Sequence, residues 1–211
     1  MKATITSLIF LLLSLTVSSQ TYKYIGIEEG LSNQKIYKIQ KDARGYMWFL
    51  THVGIDQYNG KEIKHYKLRE GNRELDPLLN INWTFLDKTG TLLVTGKQGR
   101  IFRYDSGHDR FVQIYSMYNY WNKDYHAFVR YSYIDQEDNV WLCGKSAIHL
   151  FNIESGQKQR ISNRLGNITC IEQINSEHFF IGTDKRIYLA KLENVINCQY
   201  PTASDDKNHL L

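Results

Sequence analysis

The 211-residue chain has little of what marks several large protein classes. It has 2 prolines, Pro77 and Pro201, and no Gly/Ser-rich or low-complexity stretch, so no long flexible linker is written into it. It has 3 cysteines, Cys143, Cys170 and Cys198. Their spacing matches no zinc pattern, and an odd number leaves at least one thiol unpaired in a monomer. Small buried side chains and a Cys143–Cys170 bridge both remain open. The formal net charge of +4 carries no basic cluster, which gives no argument for nucleic acid as a partner. No H-E-x-x-H or G-x-S-x-G occurs. The stretch GTLLVTGK, Gly90 to Lys97, has the outline of a phosphate loop, but it spaces its glycines too widely and Gln98 follows the lysine. The 7 histidines (52, 65, 108, 126, 149, 178 and 209) are dispersed without metal-ligand spacing. No catalytic residue, no metal and no cofactor is expected.

What is there begins with a leader. Lys2 gives a positive start, Leu8 to Val17 (LIFLLLSLTV) is apolar, and Val17 and Ser19 stand three and one residues before a cut at Gln20. Residues 1–19 read as a signal peptide, with an uncleaved membrane anchor as the alternative. Either reading sends the rest out of the cytoplasm, into the periplasm. No later segment is apolar enough to span a bilayer.

The strongest signal is an internal repeat. DARGYMWFLTHVGIDQY (Asp42 to Tyr58), DKTGTLLVTGKQGRIFRY (Asp87 to Tyr104) and DQEDNVWLCGKSAIHLF (Asp135 to Phe151) share one outline, and NSEHFFIGTDKRIYLA (Asn175 to Ala190) is a weaker fourth. Each opens on a polar turn, runs into an apolar, aromatic strand, turns again and forms a second strand. The anchors are Trp48, Leu93, Trp141 and Phe180. Self-similarity at about 40–50 residues marks propeller blades. β-Formers such as Ile36, Ile39, Phe49 and Ile55 lie between turn signals, with Asp42 and Gly45 in one turn and Asn59-Gly60 in another. One repeat therefore reads as four short antiparallel strands. The expected fold is all-β, a partial propeller of about four blades. Its large side chains pack between neighbouring blades, which accounts for the aromatic content without a ligand. The expected divisions are 20–33 for an N-terminal strand that closes a blade, 34–77 for blade 1, 78–126 for blade 2 with an aromatic connecting loop, 127–165 for blade 3, 166–196 for a degenerate blade 4 and 197–211 for a tail.

The run from Tyr22 to Gly60 resembles the opening of the two-component regulator propeller proteins. Gly30-Leu31-Ser32 matches their lead-in, and Asp42, Gly45, Trp48, Thr51, Gly54 and Tyr58 match their blade motif, with Ile55 for the usual Leu. Asp87, Gly90, Gly99 and Tyr104 continue it in the second repeat, which has Leu93 for Trp and an inserted Arg100. Asp135, Trp141 and Phe151 continue it in the third, where Asp138 and Ala147 replace glycines. The fourth keeps Gly182-Thr183. The resemblance implies the extracytoplasmic, oligosaccharide-sensing part of a hybrid histidine kinase, with Tyr22 to Ile27 as the closing strand. A full-length member would be a kinase, whose motifs this sequence lacks. It also implies about seven blades. The sequence with four repeats is read as a truncated or split gene product, as a piece completed by blades of another chain, or as a small self-closing or dimeric propeller. Membrane association would come only through a missing C-terminal part or an uncleaved leader.

One stretch stands out as a ligand candidate. IYSMYNYWNKDYHAF, Ile114 to Phe128, mixes Tyr118, Tyr120, Trp121, Tyr125 and His126 with amides and charges. Aromatic faces and amide groups together suit sugars, and propellers place function on loops at blade ends. The plain alternative is core packing, expected for Tyr115 and Phe128. Two other functions stay open: a secreted lyase using Tyr125 and His126 for proton transfer, and a non-catalytic propeller that holds a protein.

Overall fold

The computed structural model describes residues 22–120 and 128–197, with Asn119 and Tyr120 as backbone only. Blade 1 comprises β1 (Ile36–Lys41), β2 (Met47–Thr51), β3 (Ile55–Tyr58) and β4 (Ile63–Tyr66). A hairpin of β5 (Arg69–Glu70) and β6 (Arg73–Glu74) and the short α1 (Pro77–Asn80) lead to blade 2. That blade comprises β7 (Trp83–Leu86), β8 (Leu92–Thr95), β9 (Arg100–Asp105) and β10 (Arg110–Ser116), and α2 (Met117–Tyr120) follows. Blade 3 holds β11 (Val129–Ile134), β12 (Asn139–Gly144), β13 (Ala147–Asn152) and β14 (Lys158–Ser162). Blade 4 holds β15 (Ile168–Gln173), β16 (His178–Thr183) and β17 (Ile187–Lys191), and α3 (Leu192–Ile196) follows. Each sheet is antiparallel and keeps sequence order. The fold is the all-β partial propeller read from the repeat, although blade 4 shows three strands among the described residues.

Residues 22–35 hold no strand, so Tyr22 to Ile27 pair with no sheet edge. Instead Gly26 to Gly30 turn back on themselves: Leu31 N–H donates to Gly26 O at 2.9 Å, and Gly30 takes φ 107. The turn drops Leu31 into the core. Ser32 donates its N–H and its hydroxyl to Asp56 Oδ2, at 2.8 and 2.9 Å, and His65 Nδ1 lies 2.8 Å from Oδ1. Gly-Leu-Ser is thus a clasp onto a buried carboxylate.

The repeated aspartates explain the repeated tryptophans. Asp42 Oδ1 accepts the N–H groups of Arg44 and Tyr46, closing the first turn, and Oδ2 accepts the Trp48 indole N–H at 2.9 Å. Asp135 treats Glu137, Asn139 and Trp141 the same way, again with 2.9 Å to the indole. Both indoles are fully buried, where an unpaired N–H would be costly. Where Leu93 replaces Trp, Arg103 on the facing strand pairs with the free oxygen of Asp87, its Nη2 at 2.7 Å. In blade 4 Ile174 and Phe180 stand at the two positions, so both polar partners are gone together. Gly45 and Gly90 take φ 89 and 73 in these turns; Asp138 takes φ 61 in the third and accepts Lys88 N–H from blade 2 at 3.1 Å.

Burial alone would raise the Asp87 carboxyl. Hydrogen bonds from Thr89 and Thr91 and the charge of Arg103 outweigh it and hold the group below its ordinary value. A depressed folded-state pKa adds stability that is complete above the unfolded value, about 3.9, and is lost as pH falls through the folded one. Urea unfolding between about pH 6 and pH 3 should therefore show stability falling below about pH 4. The Asp87→Asn variant should fall less steeply there.

Three apolar layers hold the blades together. Trp48, Leu50 and Ile55 of blade 1 pack on Leu92, Val94 and Phe102 of blade 2. Leu93 and Ile101 of blade 2 meet Val140, Leu142 and Phe151 of blade 3. Trp141, Cys143 and Ile148 of blade 3 meet Ile171, Phe179 and Ile181 of blade 4. Cys143 and Cys170 are both free, which removes the bridge from consideration. Cys143 lies inside the layer between blades 3 and 4 and Cys170 is exposed beyond it. Stacked sheets stand about 10 Å apart, beyond the reach of a disulfide. Burial also pushes the Cys143 thiol up. Cys198 lies outside the described residues.

Candidate ligand-facing end

Because strands follow sequence order, each blade has two distinct ends. The Asp turns and the outer hairpins share one. The inner hairpins and the blade-to-blade connections share the other. The first end carries close contacts between the turns of neighbouring blades: Ala43 N–H donates to Gly90 O at 3.2 Å and Gln136 N–H to Gln173 Oε1 at 2.7 Å. A Cβ on Gly90 would sit 2.3 Å from that of Ala43, so only glycine fits. The second end carries the longer connections and is the candidate site.

Its best-defined part surrounds Arg100. An Arg at the start of a core strand needs partners if it is buried, and Arg100, which opens β9, is buried. Its Nη2 lies 3.3 Å from Glu70 Oε2 on the β5–β6 hairpin. Nη1 donates to Asn80 Oδ1 of α1 at 3.3 Å and to Gln98 in the inner hairpin of blade 2. Arg73 reaches the same Glu70 oxygen at 2.7 Å. Leu68, Leu75 and Ile81 anchor the connection in the core below. Gly96 lets α1 come close, since a Cβ there would stand 2.3 Å from Asn80 backbone. One guanidinium thus fixes hairpin, helix and inner hairpin as a single lip. The sequence reading took Arg100 for an insertion and missed Glu70 and Asn80. The usable signal was a charged side chain directly before the apolar pair Ile101-Phe102.

The aromatic connection starts beside that lip. Met117 N–H donates to Gly99 O at 3.0 Å, and Gly99, with φ 66, faces the Met117 side chain. Tyr118 follows on α2 and is half exposed at 49%. Tyr115 is core as expected, stacked on Phe151 with centroids 4.9 Å apart. Phe128 departs from expectation: it precedes β11 and is exposed. Tyr120 ends α2 in backbone only; Trp121, Tyr125 and His126 lie outside the described residues, so Tyr118 is the one predicted ligand residue placed with its side chain.

The remaining motif residues are structural. Thr51 accepts the N–H groups of Val53 and Gly54 on its hydroxyl oxygen, and Thr183 does the same for Lys185 and Arg186. A Cβ on Gly54 would stand 2.9 Å from Tyr66 O, and Gly182 packs under Cys170. Tyr58 donates its hydroxyl hydrogen to Gly60 O. Tyr104 and Tyr66 both donate to Asp109, at 2.7 and 2.6 Å. A separate cavity of about 350 Å³ lies between the outer edge of blade 3 and α3, lined by Asn139, Asn152, Gln157, Lys158 and Leu192. Among the described residues no cluster of three or more His, Cys, Asp or Glu is placed to hold a metal. No helix among them is long and apolar enough to cross a membrane.

Residues 30–52, from the Gly-Leu-Ser clasp through the Asp42–Trp48 turn, match the family model described as two component regulator propeller. These residues carry one two-component regulator propeller repeat. No curated protein matches the chain in sequence. Among solved structures, this chain is similar to an extracellular domain assigned to a hybrid two component system of B. thetaiotaomicron, at TM-score 0.62 and 17% identity over 82% of this chain and 25% of that one. A second such domain from the same organism gives 0.57 and 16% identity, over 78% and 22%. YCF48 from Cyanidioschyzon merolae gives 0.52 and 14%, over 87% and 57%. At these identities the likeness concerns the fold. The chain spans about a quarter of the length of the two bacterial domains.

Proposed function

We propose that this chain is the extracytoplasmic sensing propeller of a two-component regulator, that it binds oligosaccharide, and that it does no chemistry itself. The family match over residues 30–52 carries the reading. The apolar leader at residues 8–17 supports export into the periplasm after cleavage of residues 1–19. The lip around Arg100 and the aromatic connection beginning at Tyr118 support the ligand class, since rigid polar groups beside an aromatic face suit a sugar. The role of such a module is to bind preferentially in one arrangement and so bias a kinase across the membrane.

Titration calorimetry of the full chain against a panel of neutral and acidic oligosaccharides tests this. Binding of at least one member is expected, weakened about three- to tenfold by Tyr118→Ala, the usual worth of one aromatic contact. No binding across the panel would sink the reading. Turnover of a polysaccharide would replace it with the lyase reading, and capture of a protein alone with the interaction reading.

A further inference from the structure

The two ends of the blades differ in charge. The turns at the first end carry Asp42, Asp87, Asp135 and Asp138. At the second end each inner hairpin carries a base instead: His52, Lys97, Lys145 and Lys185 in blades 1 to 4. These bases lie far apart in the sequence, and the fold brings them to one end. Three cations converge where blade 2 meets blade 3. Val129 N–H donates to Lys97 O at 2.9 Å. Val129 also stands opposite Gly144, the residue before Lys145. Arg130 follows Val129 and is the bulge of β11, where the register shifts between Val129 and Tyr131. Bulges re-aim a side chain out of the ladder. β1 and β15 bulge at the same place, at Tyr37 and Thr169, and all three extra residues are exposed.

Lys97, Arg130 and Lys145 are exposed and make no ion pair among the described residues. The carboxylates of the connections and hairpins at that end are committed elsewhere. Glu70 holds Arg73 and Arg100, Glu74 holds Lys67, Asp76 accepts Leu78 N–H, and Asp184 accepts from Asn167. Like charges left side by side repel one another and draw in an anion. An aromatic completes the group. Phe128, the residue before Val129, is exposed at 55%. A ring face beside unpaired cations suits a sugar that carries an acid group.

We propose that this junction is an acidic-sugar subsite: the ligand is an oligosaccharide bearing carboxylate or sulfate groups, which Lys97, Arg130 and Lys145 bind while Phe128 lies against a sugar ring. The planar fork of Arg130 matches two oxygens of such a group at once, and the lysines act as point charges. The inference rests on the oligosaccharide reading above and narrows it to acidic ligands. Three cations make a small footprint for duplex DNA, whose affinity grows with the number of phosphates neutralised.

Calorimetry of the full chain should compare a uronic-acid tetrasaccharide, a sulfated tetrasaccharide and a neutral glucose tetrasaccharide. At least one acidic probe should bind about tenfold or more tighter than the neutral one, as one hydrogen-bonded charge suffices to give. Its affinity should fall several-fold as sodium chloride rises from about 0.05 to about 0.3 M. Arg130→Gln should weaken the acidic probe about tenfold and leave any binding of the neutral one unchanged. Lys97→Gln and Lys145→Gln should act in the same direction, and Phe128→Ala should cost about three- to tenfold at either salt concentration. Far-UV circular dichroism checks that each variant keeps its strands. A neutral probe that binds as tightly as the acidic ones, or acidic binding indifferent to Arg130→Gln, would overturn the subsite and leave the oligosaccharide reading standing. Binding of none of the three would overturn both. Duplex DNA bound as tightly as the acidic sugars would make the junction a general polyanion surface and overturn the proposal.

Discussion

Replacing Trp48 with alanine is expected to cost about 3–5 kcal/mol of stability, the usual cost of emptying a buried tryptophan site. The indole is wholly buried and packs against the rings of Tyr66, Tyr104 and Phe111 within 4.7–5.7 Å. Its N–H also satisfies Asp42, whose other oxygen closes the turn before β2. The loss therefore has two parts, a cavity between blades and a buried carboxylate oxygen short of a donor. Urea unfolding separates them. Trp48→Phe refills much of the cavity but leaves Asp42 Oδ2 without the indole, and should cost about 1–3 kcal/mol, the penalty of an unsatisfied buried acceptor. Domains are stable by only about 5–15 kcal/mol, so the alanine variant sits near the limit of folding. Little change on Trp48→Ala would mean that the layer between blades 1 and 2 is not the support described here.

The second large effect is expected at Arg100. Arg100→Ala removes the cation that joins Glu70, Asn80 and Gln98, and it leaves Asn80, itself buried, without that partner. Hydrogen bonds to a charged group are worth about 1.5–3 kcal/mol each, and Glu70 is partly solvated, so a net cost of about 2–4 kcal/mol is expected. The distinguishing readout is local. Amide exchange should quicken over residues 69–82 while the Asp42–Trp48 turn keeps its protection. Arg100→Lys keeps the charge but not the planar fork, and should restore only part of the loss. Equal quickening at both ends of the blades would make Arg100 an ordinary core residue.

The fold was legible because blades 1 and 3 repeat the same turn chemistry and blade 2 keeps its aspartate. Asp42, Trp48, Asp135 and Trp141 recur at one spacing, and that spacing is the length of a turn plus the reach of an indole to the turn's carboxylate. Phe180 shows where such reading stops. Its register is that of Trp48, yet it is exposed, because burial in a propeller comes from the next blade and not from the strand itself. Phe128 misleads for a related reason: an aromatic just before β11 has the right chemistry for a core but lies outside the ladder. The candidate site was legible only in outline. A run of aromatics marks a connection, whereas the Arg100 lip forms from residues up to thirty positions apart that only the fold brings together.

Amide hydrogen exchange of the full chain, with and without a bound oligosaccharide, tests the central claim most directly. The account predicts added protection over residues 69–82 and 117–120 and none at the Asp42, Asp87 and Asp135 turns. Protection concentrated at those turns, or no change at either end, would contradict it.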